Sequence, residues 1–299
     1  MKKRGLFVLV WLLCGCQFQQ PYDLHAAAQS TLEIPDDAYH LAGQTLIVLE
    51  GNEYEEATVL YYVADEEALT KVLQYSLDQQ QYEIAYQSEA VMDLDAIAAD
   101  LSLLNPFDIS LTQSDTIYTD GHDELLYTAH HIKAEILDSR YAQAKAEAEH
   151  RVQALIDDTM TTDEKIAAIH DDIIIHSCYE KIQEETVGER ALFQAAGVLI
   201  DGKGVCTGYS RAFMLMAEAA GIPALYVSAA AMNHGWNYVQ DEDGWRHIDV
   251  TWDDPIPDQG QNASATFLNM DEASFFEDGS HTLDSAERKK IIELADRFF

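Results

Sequence analysis

Apolar and polar positions change their spacing several times along the chain, and each change marks an element. QTLIVLE (44–50) and ATVLYYV (57–63) are short runs rich in β-branched and aromatic residues, which predicts two strands. ADEEALTKVLQYSLDQQ (64–80) then shifts to helical spacing, with Leu69, Val72, Leu73 and Leu77 on one face and acids in the first turn. LDAIAADLSLLNP (94–106) is a second short helix closed by Pro106, and ELLYTAHHIKAEI (124–136) alternates weakly, as a strand does. From Ser139 to Asp158 an Ala- and Glu-rich stretch predicts a long helix. Thr161 opens another, with Glu164 three positions on as a capping box and Ile166, Ile169, Ile173 and Ile174 on one side.

Two downstream patterns are sharper. CTGYSRAFMLMAEAAGIP (206–223) carries a stripe of Tyr209, Ala212, Phe213, Met216 and Ala220, a stop at Gly221 and Pro223 just beyond, so a helix begins at Cys206. HGWNYVQ (234–240) and GWRHIDVTW (244–252) alternate on either side of Asp243-Gly244, a hairpin signal. A register pairing Asp241 with Gly244 places Asp249 opposite Trp236 and diagonal to His234, on one face of the sheet. A slip of one residue would put His234 and Asp249 on opposite faces.

Charge narrows the field. Eighteen Lys and Arg stand against 53 Asp and Glu, a net charge of -35. Such a surface repels phosphate, so nucleic acid is excluded as a partner. The first residues, MKKRGLFVLVWLLCGC, combine a basic start with an apolar run from Leu6 to Leu13 that is too short to span a bilayer. Leu13-Cys14-Gly15-Cys16 resembles a bacterial lipobox, which implies cleavage after Gly15 and lipid on Cys16. The alternative is an ordinary secretory signal cut nearby. Either way the chain is expected outside the cytoplasm, and lipid on Cys16 would be its only membrane attachment. Residues 1–15 therefore read as a signal peptide, 16–31 as a tether, 32–138 as a smaller α+β region and 139–299 as the main domain.

With Cys14 leaving in the signal peptide and Cys16 carrying lipid, only Cys178 and Cys206 remain in the body of the chain. They could pair in an oxidising compartment. No CxxC or Cys/His ligand spacing occurs, so neither a metal nor an organic cofactor is expected. Cys206 follows Gly202-Lys203-Gly204 at a helix start, where free N–H groups and the dipole favour a thiolate and could hold an oxyanion. Taken alone it reads equally as a small apolar residue. A thiolate nucleophile needs a base and the base an orienting group, and His234 and Asp249 stand in the predicted hairpin. His247, two residues before Asp249, is a rival base. His130/His131 and Asp120/His122 read as surface polar pairs, His170 and His176 as solvated or core-edge residues, and Trp236, Trp245 and Trp252 as hairpin core, with a place in a cleft the alternative for Trp252 beside Asp253.

Three blocks in order, IHDDIIIHSCYE, GVCTGYSRAF and HGWNYV…GWRHIDVTWDDP, resemble the transglutaminase-like superfamily of papain-like thiol enzymes over about residues 163–281. FLNMDEASFFEDGSH (267–281) is similar to that family's C-terminal segment. The resemblance implies an α+β fold in which a nucleophile helix packs on an antiparallel sheet. It also implies a Cys206, His234, Asp249 triad that forms a thioester on amide bonds. On this reading Cys178 is a buried thiol, since a bridge to Cys206 would extinguish the chemistry. Tyr179 becomes a candidate oxyanion donor and Trp252 a candidate cleft wall. Gly235 departs from the family pattern, which has Ala after the histidine. A peptidase or amidase acting on cell-surface protein or cell-wall peptide is expected. The alternatives are a protein-crosslinking transglutaminase and a non-catalytic binding module on the same fold.

Overall fold

The structure is a computed structural model that describes residues 46–49, 58–119, 125–181, 187–254, 256–257 and 264–299. The signal peptide, the tether, Cys16 and the Asp120/His122 pair lie outside the described residues. Among the described residues no helix is long and apolar enough to cross a membrane. The chain is α+β and divides into two compact units. One holds the residues up to Ala99 with Ser110–Glu135; the other holds Asp100–Ile109 with Ile136–Phe299.

The first unit is built on a five-stranded sheet of order β1-β2-β3-β5-β4. Its strands are β1 (Leu46–Leu49), β2 (Thr58–Tyr62), β3 (Glu83–Gln87), β4 (Ile109–Thr119) and β5 (Leu125–Ile136). β2 and β3 run parallel because helix α1 (Glu66–Asp78) crosses between them. Its predicted stripe of Leu69, Val72, Leu73 and Leu77 is buried, and Asp65 caps it by accepting from Ala68 N–H. Helix α2 (Leu94–Leu104) follows β3. β3 and β4 were not anticipated; β4, ISLTQSDTIYT, is too polar on both faces to give a clean alternation. His130 Nδ1 donates to Asp115 Oδ1 across 2.8 Å, a pairing between β5 and β4 that fits a surface role.

The second unit begins with α3 (Tyr141–Leu155) and α4 (Thr162–His176), the latter opened by the full Thr161/Glu164 capping box. Strand β6 (Cys178–Tyr179) pairs in parallel with β7 (Lys203–Gly204), and the short helix α5 (Ala195–Leu199) lies between them. Helix α6 (Cys206–Ala219) comes next, ended by Gly221 at φ 71, a left-handed turn that glycine takes without strain. β8 (Ala224–Ala229), β9 (His234–Asp241) and β10 (Gly244–Ile248) form an antiparallel sheet of order β10-β9-β8. Three short or terminal helices complete the unit: α7 (Val250–Asp253), α8 (Glu272–Phe275) and α9 (Ser285–Phe298).

Helix α6 is buried on every side from Gly208 to Ala217. A stripe prediction would leave Ser210 and Arg211 at the surface; instead each is buried with partners. Ser210 Oγ donates to Gly235 O at 3.3 Å, and Arg211 clamps both oxygens of Asp108 and the Phe193 carbonyl. Burying such groups is tolerated only because those bonds replace water. The apolar side of α6 packs with α3, α4, α5 and β9 in one core that includes Ile166, Ile169, Tyr209, Phe213, Met216 and Val239.

Candidate active site

Cys206 is the first residue of α6, with Val205 as its cap. The strand pair β6/β7 fixes the approach: Cys178 N–H donates to Gly202 O and Glu180 N–H to Gly204 O, so the chain enters the helix from an anchored edge. His234 is the first residue of β9 and pairs with Ala229 of β8. Asp249 follows β10 and caps α7 through its Oδ1, which accepts the Trp252 N–H at 3.1 Å.

The hairpin pairs Gly244 with Asp241, Trp245 with Gln240 and Ile248 with Asn237. The next pair in that register is Asp249 with Trp236, so the carboxylate lies diagonal to His234. His234 Nε2 and Asp249 Oδ2 are 2.5 Å apart. Nδ1 is then the ring nitrogen left for the sulfur of Cys206, to which the imidazole is hydrogen-bonded.

These contacts set the charges. Burial alone pushes the Cys206 thiol up, but His234, by hydrogen bond and charge, and the Gly235 and Thr207 N–H groups outweigh it and hold the thiol below its ordinary value. For His234 burial opposes the charged form, yet the bonds and charges of Asp249 and Cys206 push the imidazole up to about 9. Asp249 is fully buried, which works against its charge, but donors from His234, His281 and Trp252 keep it below the usual carboxylate value. The arrangement favours a thiolate–imidazolium pair backed by a carboxylate.

The remaining candidates divide. Burial raises the Tyr179 phenol, and the nearby charges of Cys206 and Asp249 add to the rise. Trp252 is 41% exposed and stacks on the His234 ring with centroids 5.4 Å apart, covering the imidazole while facing solvent. His247, the rival base, is buried and its Nδ1 accepts the Trp236 indole N–H at 3.0 Å. Burial, with Arg288 and His281 nearby, pushes it down to about 3. It is an acceptor in the core. Trp236 is core, as expected, and Trp245 stacks on Tyr238.

Two expectations need correction. His170 is neither solvated nor at the core edge: it is fully buried, with Nε2 3.2 Å from Asp253 Oδ2 and Nδ1 2.9 Å from Asp171. Cys178 is half-buried rather than buried, and Cys178 and Cys206 form no disulfide. The departure at Gly235 has a local reason. The Tyr226 ring lies against Gly235 so closely that an added Cβ would collide with it, and Tyr226 Oη meets Thr207 Oγ1 at 3.1 Å.

Sequence reasoning also missed His281. Its Nε2 stands 2.8 Å from the same Asp249 oxygen that His234 contacts. His234, Asp249 and His281 are the one trio among the described residues whose ligand atoms converge. Separations of 2.5 and 2.8 Å are those of hydrogen bonds; tetrahedral zinc at about 2.0–2.2 Å from each ligand would spread them to roughly 3.3 Å. The trio fits shared protons rather than a metal.

Residues 149–250 match the family model described as transglutaminase-like superfamily. That span contains Cys206, His234 and Asp249 and ends before His281. No curated protein matches the chain. Solved structures that match include one titled a TGase, 12% identical over 56% of this chain and 50% of that one, with a TM-score of 0.31. A second is a putative cysteine protease from Cytophaga hutchinsonii, 16% identical over 48% of this chain and 65% of its own, at 0.30. A third is the periplasmic domain of TgpA from Pseudomonas aeruginosa bound to ethylmercury, 19% identical over 48% and 65%, at 0.27. The chain thus spans 50% to 65% of the length of these three.

Proposed function

Because residues 149–250 carry a transglutaminase-like superfamily domain, we propose that the protein is a thiol enzyme that breaks amide bonds through a thioester on Cys206. The observation that carries this reading is geometric: Cys206 opens α6 beside an imidazole whose Nε2 stands 2.5 Å from the buried Asp249 carboxylate, and in that setting the Cys206 thiol is displaced downward and the His234 imidazole upward to about 9. Groups tuned apart in this way are what nucleophilic catalysis requires.

The steps follow from the contacts. The Cys206 thiolate attacks the amide carbon, and the carbonyl oxygen takes up the negative charge. Free N–H groups at the start of α6 and the Tyr179 hydroxyl are the donors available to it. The tetrahedral species collapses as His234 gives its Nδ1 proton to the departing amine, which leaves an acyl thioester and a neutral imidazole. His234 then takes a proton from water as it attacks the thioester, and collapse breaks the carbon–sulfur bond, releasing the carboxylic acid and leaving the Cys206 thiolate beside the protonated His234. Asp249 keeps the imidazole aligned and offsets its positive charge throughout.

Hydrolysis is preferred to amine transfer because water reaches the site unaided, whereas transfer demands a shielded acceptor site. The sequence of the first sixteen residues supports anchoring outside the cytoplasm through lipid on Cys16, and substrates there are surface proteins or wall peptides. The test is acylation by p-nitrophenyl acetate, with the acyl mass gain mapped to a peptide. A burst of p-nitrophenol with the acyl group on Cys206, absent in Cys206→Ala, is expected. Acylation no faster than that of a small free thiol would overturn the reading.

A further inference from the structure

The Asp249 carboxylate is shared between two histidines. Oδ2 meets His234 Nε2 at 2.5 Å and His281 Nε2 at 2.8 Å, while Oδ1 accepts the Trp252 N–H. His281 lies 32 positions beyond Asp249 in sequence and outside the 149–250 family match. Its ring is 1% exposed and enclosed by aromatic rings, with centroids 4.2 Å from Trp252, 4.2 Å from Phe275 and 4.8 Å from Phe267.

An aromatic enclosure of that kind is ordinarily filled by an apolar side chain, since burying an imidazole is costly unless both nitrogens are paired. Here both are. Nδ1 meets Ser280 Oγ at 3.2 Å, and Nε2 meets the carboxylate. An ionised carboxylate only accepts, so the proton in the second contact sits on His281 Nε2, and Nδ1 accepts the Ser280 hydroxyl. We infer that His281 is a positioning residue of the thiol site, whose Nε2–H holds the Asp249 carboxylate charged and aimed at His234. This rests on the thiol-enzyme reading above.

The groups facing Asp249 are few. His234 approaches from β9 with Cys206 of α6 on its far side, Tyr179 from β6, His281 from the segment before α9 and the Trp252 N–H from α7. Beyond His281 stand His247 on β10 and Asp278. His281 is therefore one of three donors to a carboxylate that water does not reach. Without it the carboxylate protonates at higher pH, the imidazolium loses its counter-ion, and the thiolate recaptures a proton.

The test is the pH dependence of Cys206 alkylation by iodoacetamide, followed by peptide mapping in the full chain. Wild type is expected to alkylate with a midpoint well below that of a free thiol. In His281→Leu the midpoint rises, so that the rate on the acid side falls about tenfold, the equivalent of one pKa unit. His281→Gln, which can still present an N–H, stays within about threefold of wild type. Were His281 only a filler of the enclosure, leucine would leave the midpoint unmoved, and that result would overturn the inference. So would a glutamine variant shifted as far as the leucine one. A wild-type midpoint equal to a free thiol's would overturn both this inference and the enzyme reading, whereas an unmoved leucine variant overturns this one alone. If leucine prevents folding, nitrogen-15 spectra of the wild-type histidines decide the matter. A slowly exchanging proton on His281 Nε2 is expected; a proton found only on Nδ1 overturns the inference.

Discussion

His234 Nε2 and Asp249 Oδ2 face each other at 2.5 Å, joining the first residue of β9 to the cap of α7. Three donors converge on this carboxylate, so an amide cannot replace it. Asn at 249 would turn its NH2 toward either the two imidazoles or the Trp252 N–H. Asp249→Asn is expected to lower ester turnover by about a thousandfold to ten-thousandfold, the scale seen when a triad histidine loses its tautomer. Unchanged turnover on p-nitrophenyl acetate would remove Asp249 from the mechanism.

The opposed displacements of Cys206 and His234 give a signed pH profile. Turnover rises as the lowered Cys206 thiol ionises, holds through neutrality, and falls as pH passes about 9, where His234 loses the proton it must give to the leaving group. Stabilisation from the charged imidazole follows the same sign. Its pKa is raised above the ordinary 6.5, so the contribution is complete below 6.5 and is lost as pH climbs through about 9. Part of that rise comes from the Cys206 thiolate. In Cys206→Ser the His234 ring, followed by proton NMR, should titrate below 9 yet above 6.5, because Asp249 remains.

Tyr226 fills the space that a methyl group on residue 235 would need. Gly235→Ala is expected to cost about 1–3 kcal/mol, the usual penalty for overpacking a buried contact. Chemical denaturation reads it. Because the Gly235 N–H also donates to the Cys206 sulfur, alkylation of Cys206 slows in the same variant. Trimming the ring in Gly235→Ala/Tyr226→Val should restore part of the stability; an Ala variant as stable as wild type would show that the ring moves freely.

His247 is buried with Nδ1 accepting from Trp236, and its pKa is pushed down to about 3. The unfolded chain binds a proton at 247 below about 6.5 while the folded one does not until about 3. Stability therefore falls as pH drops across that window, by several kcal/mol at order of magnitude. His247→Phe strands the Trp236 N–H and should be less stable at neutral pH, by about 1–3 kcal/mol. It should also lose less stability between pH 6.5 and 3, so the two denaturation curves converge on acidification. Parallel curves would mean that His247 is not the acid-sensitive group.

Much of the site lay open in local patterns. The start of α6 at Cys206, its stop at Gly221, the Thr161/Glu164 capping box and the Asp241–Gly244 register all follow from side-chain periods of 3.6 and 2 and from turn chemistry that acts within a few residues. That register alone placed Asp249 on the face of His234. What the tertiary structure decided are bonds between distant positions: His281 to Asp249 across 32 residues, His170 to Asp253 across 83, and Arg211 to Asp108 across 103. Each joins a polar side chain to a partner on another element, and no periodicity marks such a pair. In a buried setting a polar group is stable only beside a matching one. Which group that is depends on how the elements pack, and packing is where the third partner of the Asp249 carboxylate was settled.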